Sequence, residues 1–183
     1  LLIFDEVQSG MGRSGQWWGY QELGVEPDAF TLAKGLGGGH AIGALLVKAN
    51  ANIFNVGDHA STFGGNPFAC TAALTVAREI EKRNLLENVR KRSYQLEQGL
   101  VEITKQFPNI YEEVRGWGLL QGLVIKKSST INSQKLINEA FQEHLLIGSA
   151  GEKVVRFAPP LIINSREVNQ IIKRVEKATI NCM

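Results

Sequence analysis

The sequence predicts an α/β protein: the end of a large domain built on a mostly parallel sheet with helices, followed by a small α+β domain. Three observations carry this. The opening LLIFDEVQSG runs four apolar residues straight into Asp5-Glu6. This is the pattern of a strand buried in a parallel sheet that delivers charge to the carboxyl edge, where open α/β sheets bind ligands. A second apolar stretch, Ala29–Ala33, ends on Lys34 and a run of glycines. From about residue 110 onward, short strands alternate with helices, the order of a small α+β layer.

Taken in order, Leu1–Phe4 reads as the first strand and Trp17–Leu23 as a short helix stopped by Gly24. Ala29–Ala33 is the second strand. Asn66-Pro67 opens a helix to about Lys82, with Asn as cap and proline in the first turn, where its missing N–H costs nothing. Asn84 is expected to cap the next helix, which places Leu85, Val89, Leu96, Leu100, Ile103 and Phe107 at helical spacing and stops at Pro108. Ile110–Arg115 and Leu119–Ile125 flank Gly116-Trp117-Gly118 as a hairpin or bulged turn. Ser133–His144 is a helix, Val154–Phe157 a strand, and Asn164–Ile180 a closing helix with Glu167 placed for a capping box. The domains divide as residues 1–75 and 76–183, the linking helices going with the second. No internal repeat or low-complexity tract interrupts the pattern.

With 44% hydrophobic and 21% charged residues over 183 positions, the composition is that of an ordinary globular protein. No apolar run approaches the ~20 residues of a membrane-spanning helix. Lysine and arginine number 20 against 18 acids, and the basic clusters at Lys82–Arg83, Arg90–Arg92 and Lys126–Lys127 lack interleaved aromatics. They read as solvated faces and not as a nucleic-acid surface. Cys70 and Cys182 form no spaced pair, which favours a reducing cytoplasm, and His40, His59 and His144 show no metal-ligand spacing. The chain opens in mid-strand without a leader, so we expect the C-terminal part of a longer protein.

Asp5-Glu6 alone is ambiguous, since a strand ending in acids also holds Mg²⁺ in P-loop NTPases. Lys34, however, lies 29 positions after Asp5 and outside any G-x-x-x-x-G-K-[ST] pattern. A strand-end lysine beside a strand-end carboxylate suits pyridoxal phosphate, which needs an amine to hold it and an acid at its ring nitrogen. An ATPase fragment with Asp5-Glu6 as Mg²⁺-binding acids, and a non-catalytic piece contributing only dimer surface, remain the alternatives from other classes.

FDEVQSGMGRSG, TLAKGLGGG and HASTFGGNPFAC, in this order and at these separations, resemble the class III (fold type I) pyridoxal-phosphate aminotransferases. The resemblance covers essentially the whole chain. It implies the C-terminal part of the fold type I large domain followed by the small domain. It also implies pyridoxal 5'-phosphate as cofactor, bound as a Schiff base on Lys34. Asp5 would pair with the pyridinium nitrogen, Val7 pack against the ring and Gln8 meet the ring hydroxyl. Glu6, pointing oppositely to Asp5, would support the cofactor from behind. Thr62 would reach the phosphate of the neighbouring subunit's cofactor, Ser61 a substrate, and Arg156 the α-carboxylate of glutamate or 2-oxoglutarate. A Ser-Thr pair in a glycine-rich turn can equally cap its own backbone. The implied activity is transamination between N-acetylornithine and 2-oxoglutarate in arginine synthesis, or alternatively of ornithine, succinylornithine or 4-aminobutyrate, by a cytoplasmic homodimer that shares its sites. No metal, nucleic acid or membrane is implied. The family's phosphate-binding turn and the residues that choose the amine donor would precede Leu1.

Overall fold

Strand β1 (Ile3–Asp5) pairs in parallel with β2 (Ala29–Leu32), Asp5 level with Thr31, and β2 pairs antiparallel with β3 (Ala44–Val47). The computed structural model describes residues 1–183, which form two compact units, Leu1–Leu86 and Glu87–Met183. The first unit carries this three-stranded sheet in the order β1-β2-β3. It is mixed, where a mostly parallel sheet was expected. The reason lies in the connection: only residues 33–43 separate β2 from β3. A parallel return needs a crossover of a dozen residues or more, so a chain this short comes back antiparallel.

One face of β1 and β2 is packed with aromatic rings. Phe4 and Phe30 are level with each other, Tyr20 packs 6.3 Å from Phe4 and 5.5 Å from Phe30, and Trp18 lies 5.2 Å from Phe30, centroid to centroid. These contacts take up the tryptophan segment, so α1 spans only Tyr20–Leu23 and not the expected Trp17–Leu23. Gly24 ends it at φ 63°, the left-handed position that suits glycine.

Helix α2 (Pro67–Lys82) begins as read, with the Asn66 side chain accepting from the Ala69 N–H at 2.9 Å. Asn84 departs from expectation. It sits at φ 49° and donates its N–H to the Glu81 carbonyl, so it ends α2 and does not cap α3 (Leu85–Gln106). Asparagine is one of the few side chains that tolerates this left-handed position.

The second unit is a four-stranded antiparallel sheet in the order β4-β5-β7-β6, formed by β4 (Tyr111–Trp117), β5 (Leu120–Ile125), β6 (Gly148–Ser149) and β7 (Val154–Phe157). The β4–β5 hairpin turns where the sequence indicated. Gly116 stands at φ 120°, and a Cβ there would lie 2.2 Å from the Leu120 carbonyl oxygen, so no other residue fits. Helix α4 (Ser133–Gln142) is capped by Asn132, and α5 (Ser165–Asn181) by the expected Asn164–Glu167 box. One face of the sheet supplies Leu123, Ile125, Val155 and Phe157 to a core shared with Val89, Leu96 and Leu100 of α3, Leu136 of α4, and Val168 and Val175 of α5. The Tyr111 hydroxyl is buried there 2.6 Å from the Thr179 hydroxyl, and burial pushes its pKa well above the usual phenol value. No helix is long and apolar enough to cross a membrane.

Helices α3 and α5 are packed to the limit at one point. A Cβ on Gly99 would lie 2.1 Å from Ile172 Cδ1 and 2.5 Å from its Cγ1. Alanine should gain up to ~1 kcal/mol in helix propensity but lose about 1–3 kcal/mol to overpacking. Gly99→Ala is therefore expected to lower the thermal midpoint of the full-length protein. Adding Ile172→Ala should relieve the clash, so that the double variant melts above the sum of the two single effects.

Candidate active site

Because β1 and β2 are parallel and level, both deliver the residues that follow them to one edge of the sheet. At the end of β1, Asp5 is exposed, and its Oδ1 accepts from the Val7 N–H at 3.0 Å and from the Thr31 hydroxyl at 3.4 Å. These two bonds hold the carboxylate at the edge while leaving Oδ2 open. Strand alternation sends Glu6 the other way, to the side of Phe4. There it is buried at 3% exposure and accepts from the Gly19 N–H at 2.9 Å, the Tyr20 N–H at 2.6 Å and the Ser9 hydroxyl. Glu6 thus anchors the tryptophan segment beneath the strand and has no free oxygen for a ligand. Val7 and Gln8, both half-buried, continue from Asp5 into the turn.

Lys34 follows β2, exposed and at φ 42°. A left-handed lysine is uncommon, costs of the order of 1–3 kcal/mol, and is a mark of functional sites. It opens a 3-10 turn, Lys34–Gly37, in which the Leu36 N–H bonds the Ala33 carbonyl at 2.9 Å. The two strand-end turns lean on each other. A Cβ on Gly10 would lie 2.9 Å from Leu32 Cδ2, and one on Gly35 would lie 3.5 Å from Met11 Cβ. Below the lysine turn, Gly38 fits against α2, where a Cβ would meet Val76 Cγ2 at 2.8 Å. Asp5, Val7, Gln8 and Lys34 therefore lie at or just beyond the ends of two adjacent strands at one edge of the sheet. Within the same turns burial lowers the Arg13 guanidinium pKa, and arginine stays charged at neutral pH all the same.

Ser61 and Thr62 lie exposed in the loop before α2, where Ser61 Oγ accepts from the Gly64 N–H at 2.9 Å. That bond is the local backbone cap that such a pair can make; Thr62 faces solvent. Arg156 belongs to the second unit, in β7 between Gly122 of β5 and Gly148 of β6. Its guanidinium lies over Gly148, 3.4 Å from where a Cβ would stand, and it makes no ion pair. It opens on a cavity of about 630 Å³ lined also by Ile147, Phe157, Pro159 and Asn164. An unpaired arginine in a largely apolar strand beside such a cavity is equipped to grip a carboxylate.

Comparison with known proteins agrees with this arrangement: residues 1–179 match the aminotransferase class-III family. The chain belongs to the class-III aminotransferases. It is 62% identical over 176 residues to an acetylornithine aminotransferase of Prochlorococcus marinus strain MIT 9313, covering 96% of this chain and 42% of that protein. It is 53% identical to an acetylornithine aminotransferase of Thermosynechococcus vestitus over 97% of this chain and 43% of the relative. The chain thus spans less than half the length of these curated relatives. Among solved structures, N-acetylornithine aminotransferase from Stenotrophomonas maltophilia superposes with a TM-score of 0.86 at 35% identity, covering 99% of this chain and 47% of that one. Ornithine aminotransferase from Toxoplasma gondii reaches 0.91 at 28% identity, covering 99% and 43%.

Membership of this class-III family implies pyridoxal phosphate, and the residues fit it: an open carboxylate oxygen and a lysine amine at one sheet edge, with glycines around the lysine that keep bulk away from a flat ring. It also removes the reading of Asp5-Glu6 as an Mg²⁺-binding pair of an ATPase, and Glu6 is in any case committed to Gly19 and Tyr20. Sequence reasoning foresaw neither this anchor nor the strain at Lys34. Glu6 could have been found by asking which buried donors lie within reach of an inward-facing acid. The strain was hinted at by the glycines that crowd the lysine.

Removing the anchor strands two backbone N–H groups. Glu6→Ala is expected to destabilise the full-length protein by at least ~3 kcal/mol, as for several buried hydrogen bonds to a charged acceptor. Glu6→Gln, which keeps one acceptor oxygen, should lose less. Urea-denaturation midpoints check both.

Proposed function

We propose that the full protein containing this chain transfers an amino group between the terminal amine of N-acetylornithine and 2-oxoglutarate, giving N-acetylglutamate semialdehyde and glutamate, a step of arginine synthesis. The observation that carries this reading is the placement of Asp5 and the left-handed Lys34 at one sheet edge. The names of relatives at 53–62% identity support the choice of substrate. Ornithine as amine donor is the second reading, favoured by the likeness to ornithine aminotransferase at TM-score 0.91.

When bound, pyridoxal phosphate supplies a protonated ring that draws off negative charge as a carbon next to the amine is deprotonated. The chain's own groups do the rest. Asp5, through its open oxygen, would accept a hydrogen bond from the ring N–H and keep the proton there. Val7 would pack against the ring, and Gln8 would meet its hydroxyl. Lys34 Nζ would hold the cofactor between turnovers, and as a free amine it would serve as the base and acid that moves the proton at the substrate carbon. The turn that strains its backbone also restricts where that amine can go. Arg156 grips the α-carboxylate of glutamate or 2-oxoglutarate with both arms of its guanidinium. Ser61 touches substrate. Thr62, free in an exposed loop, reaches the cofactor phosphate of a second subunit, so that a homodimer shares its two sites.

Two substitutions in the full-length protein test this assignment. Lys34→Ala should abolish glutamate formation while pyridoxal phosphate still binds non-covalently; turnover close to wild type would end the assignment. Arg156→Lys should weaken the glutamate half-reaction by roughly 1–3 kcal/mol, the range for a hydrogen bond to a charged group. The acetylornithine half-reaction should change less. Single-turnover spectroscopy reads both, and equal losses would make Arg156 structural. Activity with ornithine in place of N-acetylornithine would select the second reading.

A further inference from the structure

Four residues of the second unit lie in one row across its sheet: Arg115 on β4, Gly122 on β5, Arg156 on β7 and Gly148 on β6, each directly opposite the next. Opposed residues of antiparallel strands project to the same face, so both arginines stand on one side of the sheet. That side faces away from the core, since the alternate residues Leu123, Val155 and Phe157 fill the core on the other. Neighbouring side chains use the room the two glycines leave: a Cβ on Gly122 would lie 2.9 Å from Val154 Cγ1 and 3.7 Å from Arg115 Cγ, and one on Gly148 would lie 3.4 Å from an Arg156 guanidinium nitrogen. Each arginine therefore lies over a glycine floor. Neither makes an ion pair, although Glu113 stands one row along the same face, opposite Val124. Arg115 is exposed. Two strand spacings of ~4.8 Å put the backbones of the two arginines roughly 10 Å apart.

We propose that Arg115 is an electrostatic guide for dicarboxylate substrates, a second fixed positive charge on the face that presents Arg156. The inference rests on reading Arg156 as the carboxylate contact and deepens it. A substrate arriving as a dianion is drawn to this face by both charges and settles on Arg156. Arg115 needs no contact with it. One charge about 10 Å away in water raises capture of a dianion about fourfold at low salt, against about twofold for a monoanion. Because the Debye length is ~10 Å at 0.1 M salt, the gain should fade as ionic strength rises.

The test measures kcat/KM for 2-oxoglutarate in the full-length enzyme as a function of ionic strength. Arg115→Gln should lower it about fourfold at low salt, and the difference should disappear towards 0.5 M salt. Arg115→Glu should lower it by roughly the square of that factor. Arg115→Lys, which keeps the charge and loses the planar fork, should follow the wild type. A loss that does not respond to salt, a lysine variant as impaired as the glutamine one, or no loss at all would each overturn the proposal. A thermal midpoint that falls without any change in the salt dependence would make Arg115 a structural residue, and would overturn it too. A wild-type enzyme that does not turn over 2-oxoglutarate is a different result, and refutes the function proposed above.

Discussion

The parallel pairing of β1 with β2, Asp5 level with Thr31, makes the two strands finish at the same edge of the sheet, so that an acid and a lysine 29 positions apart in sequence stand together. An antiparallel pairing would have sent them to opposite edges. The aromatic layer of Phe4, Trp18, Tyr20 and Phe30 holds that pairing from one side. Glu6 bonds the same layer through Gly19 and Tyr20. The alternation that buries Glu6 also turns Asp5 outward. The two adjacent acids thus divide the work, one holding the strand in place and the other presenting an open carboxylate oxygen at the sheet edge.

Rigidity at Lys34 comes from contact without room to move. Gly10 lies against Leu32 and Gly38 against Val76, each at a distance where a larger residue would push the turn away. A lysine at φ 42° is held only because its surroundings over-determine it. In the second unit the corresponding device is the sheet row of Arg115, Gly122, Arg156 and Gly148, in which glycines make space for long cationic side chains.

Much of this was legible in the sequence because the strongest signals are local. The caps at Asn66 and Asn164, the proline after α3 and the glycines of the β4–β5 turn act within a few residues of where they stand. Asn84 was misread because one residue lies between two helices, and only its backbone angle shows which of them it serves. Strand β3 escaped because its four residues are mostly exposed and carry no alternation. The expectation of a mostly parallel sheet failed at that same strand, whose short connection forces it to return. For the site, residue type and spacing pointed to Asp5 and Lys34, whereas the packing around Lys34 and the backbone donors that anchor Glu6 involve neighbours 13 residues away or more. The row of arginines depends on strand register, which no single segment encodes.

Borohydride reduction of the full-length protein with pyridoxal phosphate, followed by tryptic mapping, tests most directly whether Lys34 is the residue that holds the cofactor. Trypsin does not cut after a modified lysine. With Lys34 as the attachment point, the label falls on a peptide spanning residues 14–48, uncut at Lys34. A label on any other lysine, or cleavage at Lys34 with no label retained, would contradict that attachment.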